Sequence, residues 1–390
     1  MKSFIVGLTC FILIFCLAGP AMTAHAANRT KAQDKGEGIK SAIVIEEDTG
    51  KILYQKNANK ELPPASMTKV MTMLLIFKAL DAHKLSLHDK VTVSEKAASM
   101  GGSQVFLEPG ETMTVDEMLR AIAIASGNDA SVAMAEHLSG SVQAFVAQMN
   151  REARQLGLTH THFVNPTGLP VANHYTTAHD MAIMARALAN YSQVFHYTSK
   201  YEDYLRENTD KKFWLVNTNK LIKTYPGADG MKTGFTSEAK YCLTATAKRE
   251  GMRVIAVVMG APTPKVRNQE AANLMNQAFA VYTTKEIKKQ GQVISNQKIE
   301  KGNYSHVPVI TQRRAVVLLK KGESLKGIKS QIKWQSKLQA PVKRGTTIGY
   351  LIVRKNHKLV SKTPLTVQLT VKRASWWQLF KRSAGTILSH

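Results

Sequence analysis

Three cysteines in 390 residues leave this chain almost nothing with which to cross-link itself. Two of them, Cys10 and Cys16, lie in an apolar run at 4–17 that follows Lys2 and leads to Ala24-His25-Ala26. That pattern fits a secretory signal cut after a small-x-small tripeptide, with Ala27 as the mature start. Neither cysteine has the small preceding residues of a lipoprotein site. With residues 1–26 removed, only Cys242 remains, and an exported protein with one thiol has no internal disulfide. It must stand on its core. Cys242 falls in an apolar, strand-like run and reads as an inert core thiol.

Long hydrophobic runs are missing as well. The run at 4–17 is short of the ~20 apolar residues needed to span hydrocarbon, which favours a removed signal over an anchor. Acidic residues are few, 28 against 53 Lys and Arg, so the net charge is +25, or +24 once Lys2 is lost. Such a surplus draws a protein to anionic surfaces. The export signal argues against nucleic acid and for anionic lipid headgroups or wall polymers. No His-x-x-x-His zinc pattern with a supporting ligand stands out, and there is no phosphate loop. His160 and His162 read as surface residues, so no metal and no cofactor are expected.

What is present suffices for a large fold. Apolar residues make up 44% and charged residues 21%, a balance that argues against wholesale disorder. The length allows two or three domains. Residues 27–39 are polar and aperiodic, a flexible lead. Strand-like segments at 41–47 and 51–55 flank Asp48-Thr49-Gly50 and predict a hairpin. Pro63 and Pro64 stop the extended chain, and Ser66 reads as a helix start. Residues 70–80 are apolar almost without a break, which predicts a buried helix. Thr114 and Glu117 have capping-box spacing ahead of a helix to 125. A loop at 126–128 leads to a helix over 129–138, and helical patterns recur at 141–156 and 177–190. The period then changes. Segments 230–236, 241–248 and 252–259 read as three strands with short turns, followed by a helix over 266–281. Strands at both ends with helices between predict one sheet built from distant segments, with a helical subdomain inserted. Residues 285–291 read as a charged connector, and 292–372 as a small all-β domain without evident chemistry.

At the end of the chain, Trp376, Leu379, Phe380, Ala384, Ile387 and Leu388 recur at helical spacing beside Lys372, Arg373, Lys381 and Arg382. That pattern describes a helix over 375–389 lying in a membrane interface, with docking on the chain's own β-domain as the alternative.

Chemistry concentrates in three places. Ser66 and Lys69 form a Ser-x-x-Lys tetrad. The same spacing recurs at Ser237/Lys240, Ser295/Lys298 and Ser330/Lys333, so spacing alone proves little. Only the first opens a buried helix, where positions i and i+3 share a face. A serine hydroxyl needs a base. A lysine becomes one when burial, a second cation and the positive end of a helix lower its pKa. Ser126-Gly127-Asn128 follows in a loop, and Lys232-Thr233-Gly234 on a predicted strand. Each triplet is weak alone; the ordered set is that of the serine penicillin-recognising enzymes.

The longer stretches PASMTK (64–69), ASGND (125–129) and DGMKTGFT (229–236) resemble the serine D-alanyl-D-alanine carboxypeptidases, the penicillin-binding proteins of low molecular mass. The resemblance implies an α+β fold over 40–285, an antiparallel sheet flanked by helices with an inserted helical subdomain. The β-rich domain at 292–372 and the amphipathic tail also match that organisation. It implies that Ser66 attacks the carbonyl between two D-alanines, that Lys69 takes its proton, and that Ser126, hydrogen-bonded near Lys69, relays a proton to the leaving amine. Asn128 would hold the acyl-side amide. Lys232 and Thr233 would bind the substrate's carboxylate, and Gly234 would admit it to the strand. The backbone N–H groups of Ser66 and Phe235 would form the oxyanion hole. Arg267 either adds positive charge beside that carboxylate or is a surface arginine. Gly127 stands where class A β-lactamases carry Asp. About 36 residues past Ser126, where those enzymes place a deacylating glutamate, stands His162. β-Lactams should therefore acylate Ser66 and leave slowly. The partners implied are stem peptides ending in D-Ala-D-Ala, β-lactams and an anionic membrane surface, at the outer face of the cytoplasmic membrane or in the wall or periplasm. The competing readings are an endopeptidase, transpeptidase or β-lactamase with the same chemistry, and a basic wall- or membrane-binding protein with an idle site.

Overall fold

The computed structural model describes residues 38–380. The expected signal peptide, nearly all of the flexible lead and the distal half of the tail lie outside them.

In chain order, β1 (Ser41–Glu46) and β2 (Ile52–Lys56) form the expected hairpin. A 3₁₀ turn (Ala65–Thr68) runs into α1 (Lys69–Asp81). β3 (Lys90–Thr92) and β4 (Thr112–Thr114) pair around α2 (Glu95–Ala98). The inserted helices are α3 (Val115–Arg120), a π turn (Ala121–Ala125), α4 (Asn128–Ser139), α5 (Val142–Gln155), α6 (Ala178–Ala189) and α7 (Val194–Thr198). β5 (Glu202–Leu205), β6 (Phe213–Val216) and α8 (Leu221–Thr224) lead back to β7 (Ala228–Thr236), β8 (Lys240–Arg249) and β9 (Met252–Ala261). α9 (Pro264–Val281) closes this part.

The main sheet has the order β2-β1-β9-β8-β7, every pair antiparallel. It is covered on both faces, so β1 and β9 are buried throughout. Alternation divides β1 between two cores: Ile43 and Ile45 face the core around α1, Ala42 and Val44 the core against α9. Helix α1 is apolar all round because it lies inside the first of these cores. Thr114 and Glu117 make a complete capping box on α3. Side-chain hydroxyls of Ser141, Thr177 and Thr263 cap α5, α6 and α9, each accepting from a backbone N–H in the first turn.

The charged stretch at 285–291 is not a free connector. β10 (Tyr282–Lys288) follows α9 directly and pairs with β13 (Ala315–Lys320). Thr283, Thr284 and Ile287 give it strand character, while its charges point outward. β11 (Val293–Lys298), β12 (His306–Thr311), β14 (Ile328–Trp334), β15 (Gly349–Lys355) and β16 (Lys358–Val367) make a sheet of order β11-β12-β16-β15-β14 with its own small core around Val307, Val309, Leu351 and Leu365. An ion pair joins this part to the first hairpin. Arg314 Nε donates to Asp48 Oδ1 at 2.9 Å, its Nη2 also contacts that carboxylate, and Nη2 donates to Gly251 O at 2.5 Å.

Candidate active site

Pro64, and not Ser66, is the residue at which the helical turn begins. Ser66 lies inside the 3₁₀ turn, and Lys69 is the first residue of α1. Ala65 ahead of it has φ +48°, an unfavourable conformation for a residue with a side chain. A chain of hydrogen bonds holds it there. Val164 N–H donates to His174 Nδ1 (3.2 Å), so the ring's proton sits on Nε2 and faces Thr68 Oγ1 (2.9 Å), which donates to Ala65 O (2.9 Å). Burial, aided by His162, pushes the His174 pKa from 6.5 down to about 4, which keeps the ring neutral and this chain intact. His162, which stands where a deacylating carboxylate was sought, is exposed, its ring on Asn173 O (2.6 Å) and its backbone paired with Tyr175. The expectation that His160 is a surface residue also holds.

Lys69 has no solvent exposure. Its Nζ lies 3.1 Å from Ser66 Oγ, 2.6 Å from Asn128 Oδ1 and 2.9 Å from Thr167 O. Asn128 is oriented by its Nδ2, which donates to Gly101 O at 2.7 Å, so an oxygen faces the lysine. Burial and then the Lys232 charge hold the Lys69 pKa well below 10.5, with Asp129 opposing weakly. The geometry suits a neutral amine. Two partners can only accept and take its two N–H groups, which leaves the lone pair to the Ser66 hydroxyl.

Ser126 and Asn128 come from the junction of the π turn with α4. Ser126 adopts a left-handed conformation (φ +66°), which ends one helix and lets Asn128 start the next. π turns recur at functional positions because they push one residue out of register. Asp129 fixes the neighbouring loop by accepting from Val105 N (2.9 Å) and Leu107 N (3.2 Å). The expected bond from Ser126 to Lys69 is not made. Thr167 O takes that place, and Ser126 Oγ is buried with no hydrogen-bond partner among the described residues.

Strand β7 forms the opposite wall. A methyl group on Gly234 would lie 2.7 Å from Pro64 O and 3.1 Å from Ser66 N, so the missing side chain lets β7 touch the nucleophile's own turn. Lys232 is buried, with Nζ 3.0 Å from Thr233 O, and burial followed by the Arg267 charge pushes its pKa down to about 7. Thr233 Oγ1 donates to Thr218 Oγ1 at 2.7 Å. Arg267 is buried in the first turns of α9, which excludes the surface reading, and its guanidinium bonds Asn268 Oδ1. Phe235 is exposed and stacks on Tyr241 at 4.4 Å. Cys242, paired with Gly234 across the strands, is buried, and burial lifts its thiol pKa to about 11.

Ser66, Lys69 and Asn128 thus meet around one amine, and β7 adjoins them. The sequence reading missed His174, Thr167, Gly168 and Thr218. The turn cluster Asn165-Pro166-Thr167-Gly168 was the one signal for Thr167 and Gly168; nothing in the sequence marked His174 or Thr218. Asn165 Oδ1 accepts from Thr167 N, Thr167 Oγ1 and Gly168 N, while Pro166 O accepts from Thr72 Oγ1 at 2.7 Å.

Comparison with known proteins gives the same picture across the chain. The family described as D-alanyl-D-alanine carboxypeptidase matches residues 28–263, and the C-terminal domain of penicillin-binding protein 5 matches 282–373. The chain is similar to D-alanyl-D-alanine carboxypeptidase DacF of Bacillus subtilis, 50% identical over 385 residues, covering 99% of this chain and 98% of that protein. Among solved structures it is similar to penicillin-binding protein 5 from Haemophilus influenzae, with a TM-score of 0.66 and 32% identity over 86% of this chain and 98% of that one. It is also similar to penicillin-binding protein D2 from Listeria monocytogenes in its ampicillin-bound form, with a TM-score of 0.56 and 33% identity over 62% of this chain and 98% of that one.

Proposed function

That the chain belongs to the D-alanyl-D-alanine carboxypeptidase family of serine hydrolases is the premise from which we propose how its residues act. It removes the terminal D-alanine from peptidoglycan stem peptides outside the cytoplasm, through an acyl-enzyme that β-lactams also form. In our reading Ser66 is the nucleophile. Its proton passes to the Lys69 lone pair as Oγ bonds to the carbonyl carbon between the two D-alanines. The oxyanion takes hydrogen bonds from the backbone N–H groups of Ser66 and Phe235. The C–N bond then breaks, and the amine of the departing D-alanine receives the proton by way of Ser126, whose buried hydroxyl has no hydrogen-bond partner among the described residues. Lys232 and Thr233 hold the substrate's carboxylate, with the charge of Arg267 behind them. Asn128 holds the substrate's acyl-side amide and also orients Lys69 through Oδ1. Water then cleaves the ester.

The single observation that carries this reading is the Lys69 amine, buried, with two acceptor-only partners and its third contact on Ser66 Oγ. The contacts to α1 from the 165–168 turn are carbonyls, which supports slow loss of a β-lactam adduct. Mass spectrometry of the penicillin-treated protein should locate a persistent adduct on the peptide containing Ser66, and untreated protein should release D-alanine from a D-Ala-D-Ala peptide. An adduct elsewhere, or rapid cephalosporin turnover, rejects the assignment.

For the membrane, the tail supports peripheral attachment. Among the described residues no helix is long and apolar enough to cross a bilayer. Residues 376–380 are helical, and Trp376, Trp377 and Phe380 are exposed at 73%, 55% and 50% and stack on one another. Exposed aromatics beside Lys372 and Arg373 suit an anionic interface. Residues 282–373 add 16 lysines and five arginines against three acidic residues. Deleting 375–390 should release the protein from anionic vesicles and leave peptide hydrolysis intact; unchanged vesicle binding rejects the tail as the anchor.

A further inference from the structure

The five-stranded sheet of the C-terminal part has a face that the chemistry at Ser66 does not use. Alternation along β14, β15 and β16 sends Ile332, Leu351, Leu365 and Val353 inward to the small cores. The same alternation sends Lys329, Lys333, Arg354 and Lys362 outward. The register sets Lys329 opposite Arg354 and Lys333 opposite Tyr350. Gln331, midway between the two lysines, pairs with Ile352, and Ile352 pairs with Lys362 on the next strand. Lys362 Nζ lies 3.9 Å from the centre of the Tyr350 ring. The four cations thus share a patch two strand spacings wide, about 10 Å, and about 13 Å long. Lys329, Lys333 and Lys362 are exposed. Lys329, Lys333 and Arg354 make no hydrogen bond or ion pair among the described residues. The three acidic residues of 282–373 lie off the patch: Glu286 on β10, Glu300 beyond the end of β11, and Glu323 bound by Lys355. Like charges directly opposite each other, as at Lys329 and Arg354, destabilise a sheet, and a multivalent anion removes that cost.

We propose that this face of β14, β15 and β16 binds a linear polyanion carrying one phosphodiester per repeat, an acidic polymer met outside the cytoplasm. Lys329, Lys362 and Lys333 form a zigzag that successive phosphates follow, and Arg354 offers a two-pronged donor beside the first of them. An ammonium is a compact charge with three donors, so it suits a flexible chain that presents no fixed geometry. Affinity comes from the counterions that the polymer releases. A polymer fits this patch better than a lipid surface does. On these three strands Leu359 is the one large apolar side chain that is exposed. The aromatic tail is rooted by the β11–β12 turn, where Ala374 N–H donates to Lys301 O, and β11 is the edge of the sheet opposite β14.

The test is fluorescence anisotropy of a labelled synthetic poly(glycerol phosphate) titrated with the full-length protein at several salt concentrations. Four phosphate contacts should cost about 50-fold in affinity between about 50 and 200 mM salt. Lys329→Glu/Lys333→Glu/Lys362→Glu should bind at least about tenfold more weakly, and its salt dependence should flatten to about threefold or less. The milder Lys329→Gln/Lys333→Gln/Lys362→Gln should flatten it in the same way, and both variants should release D-alanine from a soluble peptide at the wild-type rate. Lys84→Glu/Lys90→Glu/Lys96→Glu makes the same change in net charge on exposed lysines far along the chain. It should stay within about twofold of wild type, because screening confines each charge to its surroundings. Equal loss in the two glutamate variants would reduce the effect to net charge and overturn the proposal, as would wild-type affinity in the Lys329/Lys333/Lys362 variants. Vesicles containing phosphatidylglycerol give the remaining arm. If protein lacking 375–390 still binds them, and the triple reversal abolishes that binding, the face is a lipid surface and the polymer assignment falls.

Discussion

Replacing Lys69 by arginine should lower the rate of Ser66 acylation by about 10³-fold or more, in both penicillin capture and D-alanine release, since a general base contributes roughly 10²–10⁴-fold. A guanidinium keeps its positive charge at every accessible pH and has no lone pair to offer. The substitution also forces a larger, permanently charged group into a position with no solvent exposure. Stopped-flow acylation by a fluorescent penicillin is the direct measurement. A rate within tenfold of wild type would remove Lys69 from the role of base. The two lysines also set the pH profile. Lys69 must be neutral to act, and burial, with the Lys232 charge, makes it so well below pH 10.5. Lys232 must be charged to hold a carboxylate, and in the empty site it loses its proton at about pH 7. Above that pH the anchor weakens, so KM for the peptide rises. Bound carboxylate favours the charged form, which displaces the fall in kcat to higher pH than the fall in kcat/KM.

The second large effect should come from Gly168→Ala, although Gly168 has no side chain to contribute. Its φ is +86°, and a Cβ there would sit 1.8 Å from Ala65 O and 2.3 Å from Ala65 C. Backbone cannot yield as a side-chain tip can, so either the 165–168 turn moves or the nucleophile's turn does. Moving the first takes Thr167 O off Lys69. Moving the second displaces Ser66. We expect a loss of more than about 4 kcal/mol of stability, or a protein that folds but is acylated at least about 100-fold more slowly. Gly157 supplies the control. Its φ is +74° and nothing lies within 4 Å of its virtual Cβ. Gly157→Ala therefore carries only the left-handed backbone term, about 1–2 kcal/mol. Thermal melts and penicillin labelling of the two variants separate steric conflict from backbone strain. Equal behaviour of the pair would show that the close approach of the two turns does not matter.

Much of this fold was legible because its signals are local. Continuous apolarity at 70–80 marks a helix inside a core, and Thr114 with Glu117 marks a helix start. Three strand-like segments separated by short turns mark β7, β8 and β9. The chemical residues were found by motif order and family resemblance, because no spacing shows that residues 66, 128 and 232 converge. What escaped notice acts through the backbone or through context. Any residue can supply the carbonyl that Thr167 offers Lys69, so no side-chain pattern announces it. Gly168 matters for an atom it lacks. His174 looks like any polar loop residue until burial makes it neutral and puts it behind Ala65. Ser66 resembles a helix cap because serine is common there, yet Pro64 holds the cap position and the strained Ala65 is the first residue of the turn. β10 read as a connector because it exposes Lys285 and Glu286 and fully buries only Thr284.

The junction between the two halves of the protein has a mechanical consequence. Helix α9 passes into β10 without an intervening residue, and Arg314 grips Asp48 across the boundary. Two bodies spliced and clamped this way cannot swing independently like beads on a string. If the tail lodges among lipid headgroups, as proposed above, the cleft holding Ser66 then stays at a nearly constant altitude above the bilayer. The enzyme would trim a single stratum of the surrounding mesh, and loosening the clamp, as in Asp48→Ala, would blur the edges of that stratum.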